Sequence, residues 1–284
     1  MQGIAEGLPV FFHLWVFCVG AVVGSFLNVV IARVPKAESV ISPGSRCPRC
    51  GKPIRWYDNL PVVSWLLLRA KCRNCGQPIS IRYPMVELLT AVVAVAISRR
   101  LGPTGTALGA FAFAAALIAL AYIDIDTWLL PHQITWPLLA VGLVSPLWNR
   151  EVGWNSSLIG AGTGFALFAA IALVGERILK RETMGWGDVW LLAAIGAWLG
   201  WPSLLPVVML SALQGSVVGI ALILLGRAPA AQEPAQAPSP DDDWVPPKHA
   251  VPYGPFLSLA ALEVLLFGPR IAAAWDQLAR RLLP

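Results

Sequence analysis

An all-α polytopic membrane protein is the fold class this sequence predicts, with about eight transmembrane helices and a small cytoplasmic zinc-ribbon-like domain between the first and second. Three observations lead there. Of the 284 residues, 57% are hydrophobic and only 13% charged, about half the charged share of an ordinary soluble domain. Apolar runs close to the roughly 17–25 residues needed to cross a bilayer recur along most of the chain. Between the first two runs lies a polar stretch that carries two CxxC pairs.

The first segment, residues 1–32, opens without a basic residue and carries Glu6. A cleavable signal wants a positive start, so the apolar run from about Pro9 to Ala32 is expected to be a retained helix. Gly20, Gly24 and Ser25 lie on a face where small side chains admit a neighbouring helix. Residues 33–83 form the cysteine-bearing domain. Ten of the 21 Lys and Arg residues fall between Arg33 and Arg82, against only Glu38 and Asp58, within a net charge of +5. The positive-inside rule makes this loop cytoplasmic.

The core of residues 84–227 holds apolar segments at about 84–98, 104–123, 133–148, 157–175, 189–201 and 203–226, of which 189–201 is short. Residues 228–252 read as a flexible Pro-rich loop, with six prolines and the run Asp241, Asp242, Asp243 before position 251. The last segment, 253–284, holds a span at about 254–268. Its tail, Ile271 to Leu283, sets Trp275 and Leu278 beside Arg280 and Arg281 and reads as an interfacial amphipathic helix.

Cys47-Pro-Arg-Cys50 and Cys72-Arg-Asn-Cys75 are separated by 21 residues, and a glycine follows each second cysteine. Two such knuckles supply four thiolates for a tetrahedral zinc site, and the cytosol disfavours the alternative of two disulfides. With no open coordination position, the metal would be structural. Nucleic acid is not expected as a partner, because topology alone requires the basic charge of this loop. Cys18, alone in an apolar helix, is expected to be a small core residue.

The third span ends in Tyr122-Ile123-Asp124-Ile125-Asp126 and the sixth begins at Gly185-Trp186-Gly187-Asp188. Ionisable groups at membrane depth are costly and therefore mark function. Counting crossings from the cytoplasmic loop brings Asp124 and Asp188 to the same, cytoplasmic, face. Two facing carboxylates can share one proton, one activating water while the other protonates a leaving group. Other hydrolytic equipment is scarce, with three histidines, no HExxH and no GxSxG. Asp126 is assigned to the solvated helix end. A transporter relaying ions through the same carboxylates, and a non-catalytic zinc-bearing membrane scaffold, are the competing readings.

Ordered segments along nearly the whole chain resemble the prepilin peptidase family. They are Gly24-Ser25-Phe26-Leu27-Asn28, both cysteine pairs, Asn59-Leu60-Pro61 to Ser64-Trp65, Arg82-Tyr83-Pro84 to Glu87, Asp124 to Pro131, Lys180-x-Glu182-x-Met184-Gly185-Trp186-Gly187-Asp188, and Gly254-Pro255-Phe256. The GxGD element is also similar to that of preflagellin peptidases and presenilins. The resemblance implies an inner-membrane enzyme whose aspartyl pair, Asp124 and Asp188, cuts the leader from prepilin or pseudopilin substrates at the cytoplasmic face. It also implies N-methylation of the new N-terminus with S-adenosylmethionine, for which the sequence offers no recognisable binding residues. Two positions depart from the family pattern: His132 stands where an acid is common, and Trp190 where a lysine is common.

Overall fold

The computed structural model describes residues 10–180, 184–225 and 251–282. The stretch before Val10, residues 181–183 and the expected loop at 228–250 lie outside them. The chain forms α1 (Val10–Arg33), α2 (Val63–Leu67), α3 (Arg82–Leu101), α4 (Gly105–Thr127), α5 (His132–Val144), α6 (Trp154–Leu179), α7 (Trp186–Leu199), α8 (Leu204–Leu224) and α9 (Gly254–Leu282). Each expected apolar segment becomes one of the eight long helices. Their ends are set locally: Trp128 and Lys180 take left-handed backbone, with φ of 57° and 51°, directly after α4 and α6.

By length and composition five helices can cross a membrane: α1, α4, α6, α8 and the Gly254–Ala274 part of α9. The other three long helices fall outside that measure, so eight spans are not confirmed. α5 and α7 have 13 and 14 residues, and α3 carries Arg82, Glu87, Arg99 and Arg100. Residues 271–282, expected as an amphipathic tail, continue the last apolar helix through Pro269, so that α9 is one 29-residue helix.

The chain divides into two compact units, Met1–Leu120 with Val144–Gly153, and Ala121–Leu143 with Trp154–Pro284. In the first, α1 packs on α3 through the small residues the sequence singled out. A Cβ on Gly20 would lie 2.8 Å from the Ala91 Cα, and one on Gly24 would lie 2.7 Å from the Glu87 Cα. The backbones therefore touch, as membrane helices do when glycines line the seam. Cys18, on the same helix, is exposed. That overturns its expected place in the core, since it lies off the glycine face.

In the second unit α7 is the buried axis, with Val189, Leu191, Leu192 and Ile195 all 0% exposed. A Cβ on Gly160 of α6 would overlap the Gly196 carbonyl of α7, and one on Gly196 would overlap the Gly160 carbonyl. The Trp198 indole donates to the Leu138 carbonyl at 2.8 Å, tying α7 to α5. In α8 and α9, Gln214 donates to Glu263 at 2.7 Å and Ser211 shares a 2.5 Å hydrogen bond with Tyr253.

Because α6 and α7 meet backbone to backbone, Gly196→Leu should destabilise the protein by about 3 kcal/mol or more. Thermal unfolding in detergent should show a lowered midpoint, whereas Gly162→Leu, at a position with open space around it, should leave the midpoint near that of the parent.

Candidate active site and metal centre

The cysteine domain is built from one motif used twice. Cys47 donates its N–H to the Lys52 carbonyl at 3.0 Å and Cys72 donates to the Gln77 carbonyl at 2.8 Å. The turn closes when Gly51, and in the second copy Gly76, returns an N–H to the first cysteine's carbonyl at 2.9 Å. Both glycines sit at φ 68°, a left-handed conformation that glycine adopts without strain. Short antiparallel bridges, Arg46 with Pro53 and Lys71 with Pro78, flank the turns.

The two knuckles bring the Sγ atoms of Cys47, Cys50, Cys72 and Cys75 within 4.8 Å of one another, and Cys47 and Cys75 are 3.9 Å apart. Tetrahedral zinc with sulfur ligands at about 2.3 Å needs sulfur separations of about 3.8 Å, so the donor set fits. The backbone N–H groups of Cys50 and Arg49 pull the Cys47 thiol down to about 6, towards the thiolate that a metal requires. Beside the knuckles, Arg73 forks onto Asp58 with a closest approach of 2.6 Å. That guanidinium holds the Asp58 carboxyl below its usual range.

The second unit carries both candidate carboxylates. Asp124, in the last turn of α4, is 6% exposed, and its Oδ2 accepts the Gly254 N–H at 3.0 Å. Asp188 stands in the first turn of α7, where the helix dipole favours a negative group. Its Oδ1 is buried without a hydrogen-bond partner. The two side chains are close enough to interact electrostatically. Leu130 closes one side, 2.7 Å from where a Cβ on Gly187 would stand and 3.3 Å from one on Gly254. Asp126 is exposed.

Gly254 had appeared in the sequence only as part of a motif. A Cβ there would lie 2.6 Å from Asp124 Oδ2, so the residue must be glycine for the backbone to reach the carboxylate. Its partner is 130 residues away, and no local pattern announces that.

The two departures from the family pattern are joined in space. His132 stacks on Trp136 with centroids 5.0 Å apart, Trp136 meets the edge of Trp190 at 6.0 Å, and Trp190 packs on Phe165 at 4.9 Å. An aromatic chain thus links the positions that an acid and a lysine commonly hold.

A membrane protein with one buried and one half-buried aspartate at helix ends and a four-cysteine cluster is the class these features define. The chain belongs to the type IV leader peptidase family. Residues 18–101 match the bacterial peptidase A24 N-terminal domain and residues 111–220 the type IV leader peptidase family. A prepilin leader peptidase/N-methyltransferase of Myxococcus xanthus is 40% identical over 91% of this chain and 91% of its own. Proteins of the same description from Aeromonas hydrophila and Burkholderia pseudomallei are 39% and 36% identical, covering 94% and 88% of this chain and 95% and 83% of their own. No solved structure matches.

Elemental analysis of the purified protein should find one zinc per chain. Cys72→Ser should lose most of that metal and loosen the knuckle domain, because three thiolates leave the tetrahedron incomplete, while the helical far-UV signal stays near the parent's.

Proposed function

We propose that this chain cleaves the leader of type IV prepilins or pseudopilins with Asp124 and Asp188, and then N-methylates the exposed N-terminus. The observation that carries the first half is the desolvated carboxylate pair in one compact unit, where Asp188 keeps an oxygen free of any partner. Close carboxylates hold a single proton between them. The ionised member takes a proton from a water placed against the scissile carbonyl, and the protonated member gives its proton to the departing amine. The Gly254 N–H orients Asp124 throughout. No covalent enzyme intermediate is needed.

The basic loop between α1 and α3 supports an inner-membrane protein with that loop in the cytoplasm, and eight crossings would bring both carboxylates to the same face. Division of labour follows the segments: residues 33–83 carry a structural zinc held by Cys47, Cys50, Cys72 and Cys75, and residues 84–227 carry the peptidase core. The relatives are described as N-methyltransferases as well as peptidases, and S-adenosylmethionine would supply an electrophilic methyl group for that chemistry when bound. A cavity of about 420 Å³ in the first unit, lined by Glu87, Ser25, Asn28, Arg46, Arg49 and Lys52 among others, lies within the range of small-molecule sites. Its cations fit the carboxylate of such a donor.

Asp124→Asn and Asp188→Asn should each abolish cleavage of a prepilin peptide, a loss of at least about 10⁴-fold, while both proteins still insert and bind zinc. The double variant should be hardly worse than either, since the pair acts as a unit. Asp126→Asn should keep measurable cleavage. Mass spectrometry of the products with and without S-adenosylmethionine reads both halves of the reaction, and substantial cleavage by either single variant returns the transporter and scaffold readings.

Gly254→Val should suppress cleavage by about 100-fold or more through displacement of the Asp124 carboxylate. A normal zinc content and an unchanged thermal midpoint would separate that effect from misfolding.

A further inference from the structure

Three of the sequence segments singled out above take no part in the aspartyl chemistry: Gly24 to Asn28, Asn59 to Trp65, and Tyr83 to Glu87. They converge on the cavity of the first unit. The middle segment makes a strained turn there. Val62 is a β-branched residue at φ 61°, ψ −49°, the centre of a γ-turn closed by the Val63 N–H on the Pro61 carbonyl. Such a conformation is rare for a side chain of this type. Strain of this kind persists only where the surroundings impose it.

The surroundings are specific. Ser64 accepts the Leu60 N–H at 3.1 Å and donates to the Tyr57 carbonyl at 2.9 Å, pinning the turn to its own chain. The Trp65 indole donates to the Ile79 carbonyl at 3.1 Å, tying it to the second cysteine knuckle. What the strained turn achieves is the direction of one amide: the Val62 N–H points at Glu87 Oε2, 2.7 Å away. Ser25 supplies a second hydrogen bond to the same carboxylate.

Glu87 is 8% exposed, and among the described residues its partners, Val62 and Ser25, are neutral. A carboxylate this withdrawn from water is costly unless a cation meets it. Beside it, Asn28 uses its amide NH₂ on the Tyr83 and Gly24 carbonyls, at 3.1 and 3.4 Å, which leaves the carbonyl oxygen of its side chain as an acceptor. A carboxylate, an amide oxygen and a serine hydroxyl on one wall form a receptor for an ammonium group with its three donors.

We propose that Glu87 is the catalytic residue that receives the free α-amine of the cleaved chain and takes a proton from it for methyl transfer. The assignment rests on the bifunctional reading above and deepens its second half. The α-ammonium gives one proton to the Glu87 carboxylate. The freed nitrogen lone pair forms the new N–CH₃ bond as the S–CH₃ bond of the sulfonium donor breaks, its electron pair staying on sulfur. The products are a secondary ammonium and neutral S-adenosylhomocysteine, and Glu87 returns its proton to water.

The test uses the full-length protein in detergent with Glu87→Gln, which keeps an oxygen for the Val62 N–H but no charge. Two probes are compared by calorimetric titration without any methyl donor: a mature-pilin peptide with a free N-terminus, and the same peptide N-acetylated. The parent should prefer the free amine by about tenfold or more, as expected for a charge-assisted contact, and Glu87→Gln should bind both alike. Methylation of the free peptide should fall by about 100-fold or more, with zinc content and thermal midpoint unchanged. Retention of the preference and of methylation in Glu87→Gln would overturn the assignment. So would weakened binding of S-adenosylmethionine with the peptide preference intact, which would make Glu87 a donor-binding group. Failure of the parent itself to methylate would instead overturn the bifunctional reading on which the assignment depends.

Discussion

A carboxylate removed from water must find donors or cations within a few ångströms, because its desolvation otherwise costs several kcal/mol. Three acids of this chain stand under that constraint, and the structure meets it with a hydrogen bond for two of them and only with a helix end for the third. Asp124 has a backbone amide from the start of α9. Asp188 has the N-terminal turn of a helix. Glu87 has an amide presented by a backbone conformation that valine rarely adopts. Asp124 and Glu87 are met by backbone donors instead of lysine or arginine, and among the described residues no cation is paired with any of the three.

Backbone donors can reach a carboxylate only if no side chain intervenes, which explains where the glycines fall. Gly254 touches Asp124, Gly187 makes room for Leu130 beside the pair, and Gly24 lets α1 lie against the α3 backbone at Glu87. The Gly160 and Gly196 contact serves the same end at one remove. By locking α6 onto α7 it fixes the depth at which Asp188 stands. In a medium that offers no hydrophobic drive between helices, such close van der Waals fits are the main source of that positional precision.

Much of this was legible in the sequence because it is local. The eight apolar segments, the knuckle glycines and the seam of Gly20 and Gly24 are read from composition and spacing within a few residues. The Asp124 and Asp188 pair was legible for a different reason, the scarcity of acids in an apolar chain. The rest depends on chain segments far apart in sequence. The Gly254 amide on Asp124, the Val62 amide on Glu87 and the aromatic chain from His132 to Trp190 have no sequence periodicity to betray them. The number of crossings is not fixed by the same signal, because an apolar run reports burial and not length. α7 is apolar on every side since protein surrounds it, yet it is only 14 residues long.

That length has a mechanical consequence. Fourteen residues rise about 21 Å, against a hydrocarbon slab of about 30 Å, while α6 alongside has 26 residues. A short rod gripped by a longer one leaves a recess at one end, and the lipid leaflet there must dimple inward at a cost of fractions of a kcal/mol per ångström. With Asp188 in the first turn of the short rod, a leaflet thinned at that end would bring water nearer to the carboxylate than a full slab allows.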